Sequence, residues 1–258
     1  MTVDGSKFRK LLSSRHDVLE ELSSDWKSRP ELDEELDYSR STIDRAIEDL
    51  HSLHCIERQQ RRFKITHIGS LALEEFNDYR RMTDSLLRHH ELLNRIPLDE
   101  QLSPHFLRRA EFHSAIDVAP DTVFEPVVDL LDGATALRGT APIVFNEYFE
   151  IIGSRIQDEN LEFEVVLANE LMEVIRTHYS EELSMFSQLP AVEILVTDTE
   201  LHQALWLIDH EDGTYAGITV YDDGAPIGSI VNDTEPALEW ARTEYDRYKI
   251  DASPVHLP

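Results

Sequence analysis

A chain of 258 residues with 41% hydrophobic side chains has material for two cores, and 51 acidic against 24 basic residues leave it a net charge of −27. No apolar run is long enough to span a bilayer, and the opening MTVDGSKFRK lacks the apolar stretch of a signal peptide, so a cytoplasmic location is expected. The single cysteine, Cys55, excludes an internal disulfide and any multi-cysteine metal cage within one chain.

The acidity is uneven. Residues 1–95 carry 16 Lys/Arg and 19 Asp/Glu, whereas residues 96–258 carry 8 and 32. In chain order, Val18, Leu19 and Leu22 fall at helical spacing within 15–23. Pro30 suits the first turn of a short helix with Glu31, Asp33 and Glu34 near its positive end and Leu32 and Leu36 on one face. After the connection Asp37-Tyr38-Ser39, a third helix buries Ile43, Ala46, Ile47, Leu50 and Leu53. Ser39 or Ser41 caps it, and Ser41-x-x-Asp44 reads as a capping-box variant. Beyond residue 54 the period changes to two: Ile56, a polar tip at Arg58-Gln59-Gln60-Arg61-Arg62, then Phe63 and Ile65, a short hairpin without the glycine often found in tight turns. Thr66 caps a long helix through Leu71, Leu73, Phe76, Tyr79, Met82, Leu86 and Leu87 to about residue 93, ended by Pro97. Its apolar surface exceeds what one neighbouring domain covers, which predicts a homodimer.

The remainder alternates strands near 110–118, 134–140, 162–168 and 191–198 with helices near 125–132, 146–160 and 169–186. Further strands follow at 204–209, 214–221 and 225–231, the last two joined by the hairpin signal Asp222-Asp223-Gly224. A final helix, 235–248, buries Leu238, Trp240 or Ala241, and Tyr245. The expected domains are 1–66, a linking and dimerisation helix at 67–95, an α/β domain at 96–250 and a tail at 251–258.

Three helices followed by a basic hairpin form the order of a winged helix-turn-helix, which places the N-terminal end of its third helix in the DNA major groove. Ser39, Arg40, Ser41, Thr42 and Arg45 gather at that end, Ser41 and Arg45 opposite the apolar stripe and Thr42 on one flank, and such side chains suit phosphate oxygens and base edges. Arg58, Arg61, Arg62 and Lys64 place four cations and no acid within seven residues of the hairpin. The alternative readings are a solvated helix face and a solvated charge run. Enzyme signatures are missing. His90-Glu91-Leu92-Leu93-Asn94 has Asn94 where a zinc-protease motif needs its second histidine, and there is no P-loop, G-x-G-x-x-G or G-x-S-x-G. His51, His54 and Cys55 read as packing and capping residues rather than metal ligands. The expectation is therefore a chain that is not an enzyme and carries no cofactor or metal.

The segments "YSRSTIDRAIEDLHSL" and "RRFKITHIGSLALEEF" resemble archaeal winged-helix regulators, in which Ser-Arg-Ser-Thr opens the recognition helix and Thr-x-x-Gly closes the wing. The stretches "ALRGTAPIV" (136–144), "FEVVLANELMEVI" (163–175), "VEILVTD" (192–198), "ALWLIDHEDGTYAGITVYDDGAPIGSIVND" (204–233) and "ALEWARTEYDRYK" (237–249) resemble the middle domain of the methanogenesis and filament-formation regulatory proteins. The acidic composition, with only five lysines, is similar to that of proteins from salt-loving archaea. The resemblance implies an α+β chain: an N-terminal winged helix-turn-helix and a C-terminal α/β mixed-sheet sensor domain resembling a degenerate phospholipase D-like fold. Catalysis in that fold needs His-x-Lys, which this sequence lacks, so the resemblance implies an effector-binding or dimer-forming domain rather than a hydrolase. Arg138-Gly139-Thr140 suits an anionic effector held by Arg138 and Thr140; a salt bridge from Arg138 to surrounding acids is the alternative. The implied function is a sequence-specific transcription regulator of a halophilic archaeon that binds double-stranded DNA as a homodimer under control of a small-molecule effector. The rivals are an adaptor using the winged helix for protein interaction and a phosphodiesterase-like enzyme carrying a DNA-binding module.

Overall fold

Packing divides the chain into two units, Met1–Asp84 and Ser85–Pro258. The computed structural model describes residues 4–98, 100, 102–115, 119–159 and 161–255, without the side chains of 120, 121, 146–148, 158 and 159. The division falls inside the long helix, not at the two ends the sequence analysis gives it.

In the first unit, α1 (Gly5–Glu21) begins at Asp4, whose carboxylate accepts from the Ser6 N–H at 2.9 Å. It starts well ahead of the predicted segment, because Phe8, Leu11 and Leu12 extend its buried face. A two-residue strand β1 (Lys27–Ser28) leads into α2 (Arg29–Glu35), which opens on a capping box between Ser28 and Glu31 and carries Pro30 in its first turn. Helix α3 (Arg40–Ser52) is capped by Ser39 rather than Ser41: the Ser39 hydroxyl accepts from the Thr42 N–H at 3.3 Å. Its stripe of Ile43, Ala46, Ile47 and Leu50 is buried in one cluster with Val18, Leu19, Leu22 and Leu32.

Strands β2 (Ile56–Gln59) and β3 (Arg62–Ile65) form the predicted hairpin, and β1 flanks β3 on its other side. Gln59 pairs with Arg62, leaving the two-residue loop Gln60-Arg61, in which Gln60 takes the left-handed conformation at φ 57° without being glycine. Thr66 caps α4 (His67–Arg88): its hydroxyl accepts from the Gly69 N–H at 3.1 Å and donates to the His54 carbonyl at 2.6 Å. Gly69 lies so close to the preceding hairpin that a Cβ there would sit 2.0 Å from the Cys55 carbonyl oxygen.

The second unit opens with the single turns α5 (His90–Leu93) and α6 (Pro104–Leu107), so the long helix stops at Arg88 rather than near 93. Strand β4 (Glu111–Ser114) is shorter than the predicted 110–118, of which 116–118 lie outside the described residues. There follow a 3-10 turn at Pro120–Phe124, α7 (Glu125–Leu131), β5 (Ala136–Ala141), α8 (Asn146–Glu159) and β6 (Glu162–Ala168). The predicted helix 169–186 breaks at Tyr179, at φ −130°, into α9 (Asn169–His178) and α10 (Ser180–Ser187). Strands β7 (Val192–Thr197), β8 (Gln203–Asp209), β9 (Thr214–Asp222) and β10 (Ala225–Asn232) precede α11 (Glu235–Ile250). In the predicted tail, Ser253–Pro254 form β11.

One mixed sheet runs β11-β7-β6-β5-β8-β9-β10-β4. Strands β5, β6 and β7 are parallel, which requires the helical crossovers α8 and α9–α10; every other pairing is antiparallel. Asp223 and Gly224, at φ 48° and 81°, turn β9 into β10 with the two positive φ values of a type I′ turn. Alternation along β5 sends Leu137 into a cluster with Val127, Leu131, Ile156 and Phe186 of the covering helices. Arg138 and Thr140 point to the opposite face, where α11 lies. Trp206 of β8 rests on Gly217 of β9, where a Cβ would meet the indole ring at 2.1 Å.

Gly69→Ala is expected to lower the stability of the first unit by about 3 kcal/mol, because backbone cannot rotate away from the added methyl. A urea melt followed by circular dichroism checks it; an unchanged midpoint would show that the hairpin and α4 separate freely.

Candidate nucleic-acid interface

At the N-terminus of α3, three hydroxyls form a local network: Ser39 Oγ stands 3.0 Å from Ser41 Oγ and 2.9 Å from Thr42 Oγ1. Ser39, Arg40, Ser41 and Arg45 are exposed, and Thr42 is half-buried. Arg40 pairs with Asp33 at 3.1 Å yet remains 89% exposed, so it is free to re-aim.

The acids of α3 are partly neutralised from below. Asp44 pairs with Arg29 at 2.5 Å, as an ion pair without hydrogen-bond alignment at Nε, and Arg29 also lies over the Phe63 ring at 5.2 Å. Asp49 is bonded by Arg15 of α1 at 3.2 Å. Arg45 has no acidic partner among the described residues. Glu48, one turn further along, is exposed and likewise unpaired.

The hairpin sorts its four cations. Arg61 occupies the loop, exposed and unpaired. Arg58 donates to the Gln60 carbonyl at 2.8 Å and lies 5.8 Å above the Phe63 ring, still without an acidic partner. Lys64 is half-buried opposite Glu57. Arg62, which the sequence groups with the phosphate-facing cations, is instead a tether: it donates to the Trp26 carbonyl at 3.0 and 2.6 Å and to Glu31 at 2.8 Å. Hydrogen bonds from the Ser28 hydroxyl and N–H, with the Arg62 charge beside them, hold the Glu31 carboxyl below its ordinary range.

The two residues predicted to hold an anionic effector are already engaged. Arg138 pairs with Asp209 on the neighbouring strand. Thr140 is 4% exposed; its hydroxyl donates to the Gln203 carbonyl at 3.4 Å and accepts from the Leu205 N–H at 3.0 Å. Beside Arg138 in register, Glu164 accepts from Tyr245 at 2.7 Å and Lys249 at 2.5 Å of α11. Burial pushes the Glu164 carboxyl up, but these bonds outweigh it and hold it low; the neighbouring Glu193 is pushed up by its hydrogen bond to Glu164.

His90 begins the single turn α5, and Cys55 is buried, which pushes its thiol up. Among the described residues no three His, Cys, Asp or Glu side chains gather where a metal ion fits, and no helix is long and apolar enough to cross a membrane. Sequence reasoning missed Arg15 and Arg29 as neutralisers of α3, since their partners lie far along the chain and only the fold brings them together.

The profile of the methanogenesis regulatory protein FilR1, middle domain, matches residues 120–251. The chain belongs to the FilR1 middle-domain family. Residues 3–88 match the HVO_A0261 N-terminal domain. Among solved structures, the FilR1-family chain is similar to TrmBL2, described as an archaeal chromatin protein with a novel mode of DNA binding, at 12% identity over 95% of this chain and 94% of that one, with a TM-score of 0.44. It is also similar to NucT from Helicobacter pylori (10% identity, 57% and 99% coverage, TM-score 0.43) and to the phospholipase D family member Nuc from Salmonella typhimurium (8% identity, 57% and 98% coverage, TM-score 0.41). No curated protein matches the chain.

Arg62→Ala is expected to cost the first unit about 1 kcal/mol, the lower end for charged hydrogen bonds because the side chain is half exposed. Ser39→Ala is expected to cost about 1 kcal/mol through the lost cap, and Arg61→Ala less than about 0.5 kcal/mol. Urea midpoints of the three variants check the order; equal losses for Arg61 and Arg62 would dissolve the distinction between free cation and tether.

Proposed function

We propose that the chain is a transcription regulator that binds double-stranded DNA as a winged helix-turn-helix, with α3 in the major groove and the β2–β3 hairpin on the flanking backbone. The observation that carries this reading is the selective pairing of charge in the first unit. Asp44 and Asp49 are held by Arg29 and Arg15, while among the described residues Arg45 on α3 and Arg58 and Arg61 on the hairpin form no ion pair, and Lys64 stands opposite Glu57 without an ion pair to it. Ser39, Arg40, Ser41 and Thr42 supply hydroxyls and a mobile guanidinium at the helix N-terminus, where phosphate oxygens and base edges lie in such complexes.

The acidity of the second unit does not oppose this. At about 1 M salt the Debye length is roughly 3 Å, so a carboxylate further away than that is largely screened whereas contacts at hydrogen-bond distance persist. The composition fits a halophilic cytoplasm. The second unit acts as an effector-responsive domain without chemistry of its own; the sequence has no His-x-Lys for the catalysis of phospholipase D-like folds.

Helix α4 leaves Ile68, Leu71 and Tyr79 exposed at 50%, 51% and 65%, and this face pairs two copies into a homodimer reading half-sites about 10 base pairs apart. Sedimentation in molar salt tests the pairing: Leu71→Asp with Tyr79→Asp converts dimer to monomer, and a wild type that is monomeric with and without DNA removes the dimer.

For DNA itself, Arg45→Ala is expected to weaken binding to the preferred operator about 10- to 100-fold and to scrambled duplex far less, because a bidentate arginine–guanine contact discriminates by about 1–3 kcal/mol. Arg61→Ala is expected to weaken both duplexes alike and to lower the salt slope by about one. Fluorescence anisotropy over one salt range decides: equal loss on both duplexes for Arg45→Ala takes it out of base readout, and wild-type affinity for Arg61→Ala makes the hairpin cation a solvated charge.

A further inference from the structure

Native interiors hold few voids larger than a water molecule. Between the sheet and its covering helices, the second unit contains two partly open apolar lobes of about 100 and 90 Å³ that share lining residues. Val127 and Leu131 of α7 with Trp206, Thr219 and Tyr221 of β8 and β9 line the larger lobe. Phe149, Ile175 and Leu183 line the smaller, and Ala141, Ile152, Phe163 and Val165 border both. By volume each lobe has room for several waters, at about 10–15 Å³ apiece, but a water also needs two to four polar partners. Among the described residues the smaller lobe supplies none, and an apolar site of that kind favours apolar molecules over water.

The larger lobe adds a second feature. The Trp206 indole N–H is buried with no acceptor, on a side chain only 5% exposed. The hydroxyls of Thr219 and Tyr221 also make no hydrogen bond among the described residues. A buried donor without a partner costs free energy, and here the indole N–H is such a donor, with the two hydroxyls also among the residues lining an otherwise hydrocarbon lobe. The indole is held there by construction, since Gly217 lets it lie flat against β9. Among the described residues no cation lines either lobe; Arg138 lies on the opposite face of the sheet, so a carboxylate would enter without a counter-charge from these residues.

We propose that this cavity binds a neutral, mainly apolar small molecule of on the order of ten non-hydrogen atoms with one hydrogen-bond acceptor, such as an aryl or alkyl ketone, its carbonyl turned to Trp206, Thr219 and Tyr221 and its hydrocarbon body in the lobes. This deepens the effector role given above, on which it rests, and places the ligand away from Arg138.

The test uses the full chain without DNA, so that a failure of DNA binding and a failure of ligand uptake are read separately. Acetophenone, ethylbenzene and benzoate are titrated by calorimetry and by their effect on Tm. Acetophenone binds and raises Tm, ethylbenzene binds about fivefold more weakly for want of the acceptor, and benzoate does not bind. Ala141→Leu, which fills the border of both lobes, abolishes uptake of both neutral probes while leaving the ligand-free Tm unchanged or higher. Trp206→Phe keeps an aromatic ring, removes the N–H and narrows the difference between acetophenone and ethylbenzene, a readout that stands if Ala141→Leu does not fold. No uptake of either neutral probe, equal affinity for the two in wild type, or undiminished binding to folded Ala141→Leu overturns the proposal. So does benzoate binding that is lost in Arg138→Ala.

Discussion

The way a nearly balanced set of cations and carboxylates is paired governs the first unit. Some guanidinium groups of this unit are paired with carboxylates and others, among the described residues, are not. Arg15, Arg29 and Arg62 are drawn inward to Asp49, Asp44 and Glu31, where they fasten α1, α2 and the hairpin to their neighbours. The hairpin loop carries Arg61 beyond such partners, and α3 turns Arg45 away from the stripe that buries Ile43 and Ile47. A tether and an unpaired cation are thus the same residue type, separated by backbone placement.

That separation sets the limit of what the sequence discloses. The apolar stripe of α3, the period change after residue 54 and the Asp223-Gly224 turn are local signals, and the structure carries each of them. Arg62 is otherwise. Its partners Trp26 and Glu31 lie 36 and 31 residues back along the chain, so nothing near it distinguishes it from Arg61. The same holds for the cap of α3: two serines stand in similar positions, and the choice of Ser39 depends on where the chain leaves Tyr38. The early start of α1 and the break at Tyr179 escape for a different reason, since tertiary packing rather than propensity decides helix ends.

In the second unit, a single strand carries two unlike environments through its twofold alternation. One face of β5 adds Leu137 to the hydrocarbon layer under α7 and α8; the other presents Arg138 to Asp209 beside the hydrogen-bonded group of Glu164, Tyr245 and Lys249. The charged face is the conspicuous one in sequence, because cations are scarce there, yet its side chains are committed to one another. The cavity on the quiet face depends on contacts between strands, Trp206 with Gly217 above all, which no spacing within one segment records.

The ends of that sheet have a consequence for the protein in a crowded solution. An open sheet offers unpaired N–H and C=O groups along its outermost strands, a template on which further chains can polymerise. Here one border is β4, four residues long, and the other is β11, two residues long and ending in Pro254, which has no N–H to offer. Among the described residues the layer therefore ends in short strands, one of them closed by a proline, which offer a further chain few consecutive unpaired groups, independently of the repulsion its carboxylates provide.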